Sequence, residues 1–502
     1  MFADVSHIIA HNPAALHGGV AVADLDGDGL FEFVVAGFGG PNRVLRWANG
    51  KLRDAASPDI ADITRQAIGL AAGDIDGDGR EELYILNVDT LSEARHIADR
   101  LFDVQPDGRW EDLFSRPANR QLCNATSGRC VAVIDRRGVG RYGFFVANHG
   151  QPLRLYEFGL DSALADLAPS LGLAFATGAN NCGTLVLPIF SDRPDIICVN
   201  EHGPNFVFRN RGDGTFAECA EALALADPQE HARGIVAFDA ISEAGFGLCW
   251  GNTEGPHRVM IPQENGPWRN RATPGLAFPS PVRTIIAADF DNDGHDELFF
   301  NNFGEANRVF RIAAISRGQK TEDRGQKSEN KEQKGTDFAS DLSSVLCSLS
   351  SDLCPLTSEI TMQDPGEALD ADGFATGAAV CDIDGDGVLE LLVARGEREP
   401  QPLGVFKARG AAENGWLRVR PLTRFGAPAR GAVVRAEAAG RVRVKGICGG
   451  SGYLCQMEPV AHFGFGRGGR AERVQVTWPD GAAVVLMNPG ENRVVTVPYP
   501  RG

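Results

Sequence analysis

The sequence predicts an all-β protein: a seven-bladed β-propeller followed by a small β-rich C-terminal domain. Three observations lead there: an acidic nine-residue loop that occurs four times, a second marker at a fixed distance behind it, and a spacing near 50 residues between units. Units of this length, each built of short apolar runs broken by turn residues, suit four-stranded blades set around an axis.

The loop reads DLDGDGLFE at 24–32, DIDGDGREE at 74–82, DFDNDGHDE at 289–297 and DIDGDGVLE at 382–390. Each copy follows a small apolar run and precedes another (FVVAG, LYILN, LFFNN, LLVAR), so it joins two strands. The second marker is GPNRV at 40–44, GPNFV at 203–207, GPHRV at 255–259 and EANRV at 305–309, its Asn or His falling 18 residues after the first loop position. Extending the spacing through the degenerate units places loop starts at 24, 74, 135, 187, 239, 289 and 382. A third marker, an aromatic residue followed by polar ones, precedes the next unit in RWEDLF (109–114), GTFAECA (214–220) and PWRNRA (267–272). Phe2-Ala3-Asp4-Val5 fits this marker, and no clear copy follows the seventh unit. The N-terminus is therefore expected to supply the last strand of the seventh blade, which closes the ring and removes an open sheet edge.

The propeller is placed at 1–410 and the C-terminal domain at 411–502. The long step before the seventh unit holds an insert at 316–356, whose polar, low-complexity first part is expected to be disordered. In the C-terminal part, Pro479-Asp480-Gly481 marks a turn and Gly449, Gly450 and Gly452 a tight loop. His462, beside Phe463 in a strand-like run, reads as a packed core residue.

Aspartates at loop positions 1, 3 and 5, with Gly at 4 or 6 to turn the backbone sharply, bring alternate carboxylates to one point. A glutamate at position 9 and the backbone carbonyl at position 7 can complete the shell. Such a hard, oxygen-rich set suits Ca²⁺ over zinc or copper. The candidate metal residues are Asp24, Asp26, Asp28, Leu30 and Glu32; Asp74, Asp76, Asp78, Arg80 and Glu82; Asp289, Asp291, Asp293, His295 and Glu297; and Asp382, Asp384, Asp386, Val388 and Glu390. About four Ca²⁺ are expected, acting as structural staples. An EF-hand would need a glutamate at position 12, where Val35, Ile85, Phe300 and Val393 stand. The units starting at Asp135, Leu187 and Asp239 have lost the set and are expected to hold no metal.

A formal net charge of −17 disfavours nucleic acid and anionic membrane as partners. No apolar run is long enough to cross a membrane as a helix, and the N-terminus lacks the pattern of a signal peptide. Cys123 and Cys130, or Cys448 and Cys455, lie close enough in sequence to form disulfides in an oxidising compartment. The ten histidines show no HExxH spacing, and no G-x-S-x-G occurs. The reading is a monomeric, non-catalytic interaction or adhesion protein with a protein or glycan partner. The alternative is a hydrolase or lyase using the propeller channel.

The acidic loops resemble the FG-GAP/VCBS repeats of integrin-type propellers. GWLRVRPLTRFGAPARGAVV (415–434), GGSGYLCQMEPVAHFGFG (449–466) and VQVTWPDG (474–481) resemble the ASPIC/UnbV domain. The combination is similar to the cartilage acidic protein family. That resemblance implies an acidic calcium-binding propeller, extracellular or at the cell surface, with Asp24, Asp26, Asp28, Glu32 and their three sets of equivalents as ligands.

Overall fold

The computed structural model describes residues 1–88, 98–105, 108–159, 163–174, 181–241, 245–263, 266–314 and 358–500. Seven four-stranded antiparallel sheets follow one another along the chain. Blade one runs His17–Ala23, Glu32–Gly37, Arg43–Ala48, Lys51–Asp54, and blade two Ala67–Gly73, Glu82–Asn87, Arg100–Val104, Trp110–Asp112. Blades three to six begin at Gly128, Asn181, Ala232 and Val282. Blade seven is Ala375–Cys381, Glu390–Arg395 and Gly404–Ala408, completed by Phe2–Asp4. The N-terminal strand pairs Phe2 with Ala408 and Asp4 with Phe406, so the ring is closed by its own first residues, as expected. Phe2 is fully buried there, edge-on to Phe290 and Phe299 at 5.0 and 6.1 Å between ring centres. The 316–356 insert lies outside the described residues; it joins the third and fourth strands of blade six, which pair from Val309 with Gln363 to Ala314 with Ser358.

The Asn/His marker has a local cause. Asn42, Asn205 and Asn307 each accept, through Oδ1, the backbone N–H of the residue five places earlier, at 2.9, 2.9 and 2.8 Å. Each also donates from Nδ2 to a carbonyl just before the next blade: Ile60, Leu225 or Ala368. One side chain thus satisfies the end of a strand and ties two blades together. His257 does the same work in blade five: its Nδ1 accepts from Asn252 N–H at 3.1 Å, so Nε2 carries the proton towards Ser280 Oγ at 3.0 Å. Burial, and then Arg308 and Arg258, lower its pKa to about 3. The folded state therefore binds the proton less readily than the unfolded chain, and the stability held above pH 6.5 is lost as pH falls towards 3. Between pH 7 and 5 the wild type is expected to lose about 2 kcal/mol more than His257→Asn. Denaturant unfolding at the two pH values measures it, and equal losses would contradict a lowered pKa in the folded state.

The C-terminal part holds two sheets around their own core. Gly415–Pro421 lies between Ala461–Gly466, antiparallel, and Arg493–Val497, parallel. Arg441–Gly446, Val433–Ala438, Arg473–Thr477 and Ala483–Met487 form the second sheet. Leu417, Val434, Phe463, Val474 and Trp478 pack between them.

From this part the segment 449–458 enters the centre of the propeller and bonds to the innermost strand of every blade. Gln456 exchanges backbone bonds with Val20 and Val22 of blade one, and its side-chain amide pairs with both backbone groups of Ala72 of blade two. Gly449 and Gly450 accept from Val133 and Val186 of blades three and four, and Gly452 donates to Ile235 of blade five. Tyr453 N–H reaches Thr284 Oγ1 of blade six, and Ala378 of blade seven donates to Cys455 Sγ at 3.2 Å. Inner strands would otherwise point unpaired backbone groups into the channel. Each inner strand has a register irregularity near its third residue, where the tip of the plug lies. At Gly19 a side chain would collide with the plug, since its Cβ would stand 1.8 Å from Leu454 O.

The two suggested disulfides are not formed; all nine described cysteines are free. Cys448 packs beside the core between blades four and five, while Cys455 faces Ala378 in blade seven, on another side of the plug. Cys123 donates to Asp99 O at 3.4 Å, while Cys130 packs in the core between blades three and four.

Candidate metal centres

All four acidic loops connect the first and second strands of a blade, and the position-9 glutamate is in each case the first residue of the second strand. One hydrogen-bond scheme recurs in all four. Asp24, Asp74, Asp289 and Asp382 accept from the N–H of position 6 through Oδ2, at 3.0 to 3.1 Å. Asp26, Asp76, Asp291 and Asp384 accept from position 5 at 2.9 to 3.2 Å. Asp28, Asp78, Asp293 and Asp386 accept from Leu30, Arg80, His295 and Val388 at 2.8 to 3.0 Å. Glu32, Glu82, Glu297 and Glu390 each spend Oε2 on the N–H of position 2, at 2.6 to 3.1 Å.

The backbone must turn sharply to allow this. Positions 4 and 6 carry positive φ in all four loops, on Gly except at Asn292, where φ is 60°. Asn292 is held by Nδ2 donating to Gly387 O at 2.9 Å and by His462 Nε2 at 2.6 Å from its Oδ1. His462 is buried, and burial holds its pKa well below the usual value, which fits the packed role expected of it.

The scheme uses one oxygen of most of these carboxylates on the backbone; Asp74 uses both, its Oδ1 accepting from Gly77 N–H at 2.5 Å, and Asp289 shares Gly294 N–H between its two. Asp24 Oδ1, Asp382 Oδ1, Glu82 Oε1 and Glu297 Oε1 are buried without a hydrogen-bond partner. Carboxylate oxygens of Asp24, Asp26 and Asp28, of Asp74, Asp76 and Asp78, and of Asp289, Asp291 and Asp293 converge to within 4.8 Å of one another. In blade seven Asp382, Asp384 and Glu390 converge, without Asp386. A further set, Asp76, Glu82 and Asp103, adds a carboxylate from the third strand of blade two. Burial, and then crowding by like charges, raises the pKa of Glu32 and Glu390 to about 8 and that of Asp74 to about 7, and drives Glu82 and Glu297 well above the ordinary range. A divalent cation is the group that fits these arrays, since it neutralises several oxygens at once.

Residues 2–85 match the FG-GAP-like repeat family and residues 423–502 the ASPIC and UnbV family. Over almost its whole length the chain is 42% identical to cartilage acidic protein 1 of Xenopus tropicalis, covering 97% of this chain and 74% of that protein. It is 41% identical to cartilage acidic protein 1 of Homo sapiens and of Mus musculus, each over 98% of this chain and 73% or 75% of theirs. The chain belongs to the cartilage acidic protein 1 family. Among solved structures, a lectin from Burkholderia pseudomallei aligns with a TM-score of 0.47 at 12% identity, over 78% of this chain and 98% of that one.

In this family member the C-terminal part docks on the face of the propeller that carries the acidic loops. Arg420 Nη2 donates to Asp24 Oδ2 at 3.1 Å, Arg443 Nη2 to Asp289 Oδ2 at 3.0 Å and Arg418 Nη1 to Asp382 Oδ2 at 2.9 Å. Arg430 is fully buried against Glu81 at 3.0 Å. The three degenerate loops serve the same docking by other means. Asp135 is tied within its own loop to the N–H groups of Val139 and Gly140 at 2.9 and 2.6 Å, and the Tyr142 hydroxyl beside it donates to Pro428 O at 2.9 Å. Leu187 packs on Val433 and Val444, and Asp239 lies 3.9 Å from Arg443.

None of these arginines was singled out by sequence reasoning, nor was Asp103 or the plug residue Gln456. A signal for the first existed: RVRPLTR at 418–424 is a basic run in a chain of net charge −17. Asp103 stands outside every motif and is found only by strand pairing.

Proposed function

We propose that this family member is a calcium-binding, non-catalytic interaction protein. Ca²⁺ in the blade loops would stiffen a propeller whose open face takes a protein or glycan partner. The observation that carries the cation reading is that all four loops bring three carboxylates together and each holds a buried, unpartnered carboxylate oxygen. The proposed ligands are the aspartates at positions 1, 3 and 5 and the glutamate at 9 of each loop, with the carbonyls of Leu30, Arg80, His295 and Val388. All are hard oxygens, which favours calcium over softer metals. The proposed division into a propeller at 1–410 and a second domain at 411–502 belongs to the same reading.

The filled channel weighs against the enzyme alternative. Segment 449–458 occupies the axis, and the cavity left beside it, lined by Asp289, Asp296, Lys445 and His462, holds about 90 Å³. Substrate pockets run to ~300–1,000 Å³. Among the described residues no helix is long and apolar enough to cross a membrane. The reading places the protein outside the cell, as a monomer, in calcium-rich surroundings. Burial raises the thiols of Cys123 and Cys448 to about 12, which keeps them protonated and unreactive there.

The face opposite the C-terminal part is left for a partner. It carries half-buried Phe303 and Phe374, 5.2 Å apart, with Arg283 4.5 Å from the Phe303 ring and Arg398 5.7 Å from Phe374. Aromatic and arginine side chains of this kind dominate recognition surfaces. Passing the purified chain over immobilised proteins and glycans, in calcium and then in EGTA, tests the reading. Saturable retention that is lost in EGTA is expected. Turnover of a small ester, phosphate or glycoside, with no retention on any probe, would contradict it.

A further inference from the structure

The four acidic loops share one scheme, yet the strand that flanks them differs. In blades six and seven the position-9 glutamate pairs across the sheet with a basic residue, Glu297 with Arg311 and Glu390 with Lys407. In blade one the residue next to the Phe33–Leu45 pair on the third strand is Arg46. In blade two the corresponding residue, next to the Leu83–Phe102 pair, is Asp103.

These side chains reach the loops. Lys407 Nζ lies among three carboxylates, 3.0 Å from Asp384, 2.9 Å from Asp386 and 2.5 Å from Glu390, two of which belong to the converging set of that loop. Arg46 binds Asp26 and lies 3.0 Å from Glu32. Arg311 binds Asp293 and leaves Glu297 Oε1 unpartnered. The C-terminal part adds a second cationic group, a guanidinium, to the first Asp of each of these loops, from Arg420, Arg443 and Arg418.

In blade two the third-strand residue is acidic, and the C-terminal arginine, Arg430, binds Glu81 at position 8 rather than the first Asp. Asp74 makes no ion pair among the described residues, and the buried Glu82 Oε1 has no partner. Two triads, Asp74-Asp76-Asp78 and Asp76-Glu82-Asp103, share Asp76, so this loop gathers five carboxylates into two linked groups. The basic groups around them sit at the rim. Arg80 holds the outer oxygen of Asp78 through Nε at 2.9 Å. Arg116 is 3.8 Å from Asp103 but is bound in a fork to Glu111 at 2.9 and 2.8 Å. Arg141 lies over the Phe425 ring, 5.3 Å from its centre.

We propose that the loops form a graded series of divalent-cation sites: blade two binds most tightly with Asp103 as an additional ligand, and Lys407, Arg46 and Arg311 act as built-in cations that compete with metal in blades seven, one and six. The proposal rests on the calcium reading above. The series follows from how many carboxylates the third-strand residue occupies: three for Lys407, two for Arg46, one for Arg311 and none for Asp103, beside which Arg80 and Arg116 touch only the rim, at Asp78 and Asp103. A Ca²⁺ ion entering blade seven would have to displace an ammonium held by its own ligands, whereas in blade two Asp74, Asp76 and Glu82 make no ion pair among the described residues. The chain then holds one ion firmly and gains the others as calcium rises.

Calcium titration of the full chain by isothermal calorimetry tests this. The wild type is expected to show one tight site followed by weaker ones. Asp103→Asn should weaken the tight site at least tenfold. Lys407→Gln should bring a second ion into the tight class, and Arg46→Gln should do the same independently in blade one. Four sites of one affinity in the wild type, with all three variants titrating like it, would overturn the graded series and leave the calcium reading standing. No heat and no bound calcium in any of the proteins would overturn both.

Discussion

Replacing Arg430 with methionine is expected to cost about 3–5 kcal/mol of stability, the usual consequence of removing one partner of a buried ion pair. Arg430 is without solvent exposure, and Glu81 is 1% exposed. The guanidinium donates to Glu81 Oε1 at 3.0 Å, to Met457 O at 3.0 Å and to Val22 O at 2.8 Å. It therefore fastens the C-terminal part to blade two, to the inner strand of blade one and to the end of the plug at once. Methionine fills much of the same space but leaves a buried carboxylate and two carbonyls unpaired. The second replacement in a cycle, Glu81→Gln with Arg430→Met, removes the stranded charge and should recover part of the loss. Denaturant unfolding of the wild type and the three variants measures it. A loss below about 1 kcal/mol for Arg430→Met would mean that this contact does not hold the two parts together.

Phe2→Ala is expected to cost a similar amount, about 3–5 kcal/mol, because it empties a fully buried site. Phe2 lies between the sheets of blades six and seven with Phe290, Phe299, Val309 and Leu391. Its backbone also donates to Pro365 O at 3.0 Å, and its strand pairs with Gly404–Ala408. Loss of the ring thus weakens the sheet through which the first and last parts of the propeller meet. The edge of Gly404–Ala408 would then be open to other chains, so Phe2→Ala should aggregate on heating at temperatures the wild type survives. Light scattering during a melt reads this out. Wild-type stability in Phe2→Ala would contradict ring closure by the N-terminal strand.

Much of this architecture is legible in the sequence because repetition amplifies weak local signals. One DxDGDG loop is an ordinary turn; four at matching places between apolar runs fix strand pairs, and the Asn marker 18 residues on fixes the next turn. Phe2 could be assigned to blade seven because its marker was missing at the other end. What stayed hidden depends on contacts between distant segments. Gln456 gives no hint in sequence that its amide meets Ala72 across 384 residues. Cys448 and Cys455 look like a pair because they are seven residues apart, but the plug between them sends the two thiols to different blades. The four loops look equal because the residues that distinguish them, Arg46, Asp103, Arg311 and Lys407, sit one strand further on, at distances that vary with loop length.

The calcium reading is tested most directly by a thermal melt of the purified chain in EGTA and again after adding Ca²⁺, with the bound metal counted in the same samples. Each occupied site adds about 2.7 kcal/mol when free calcium stands a hundredfold above its dissociation constant. The melting temperature is therefore expected to rise with calcium, together with stoichiometric ion uptake. An unchanged melt with no bound calcium would show that the acidic loops are bare turns, and would contradict the account.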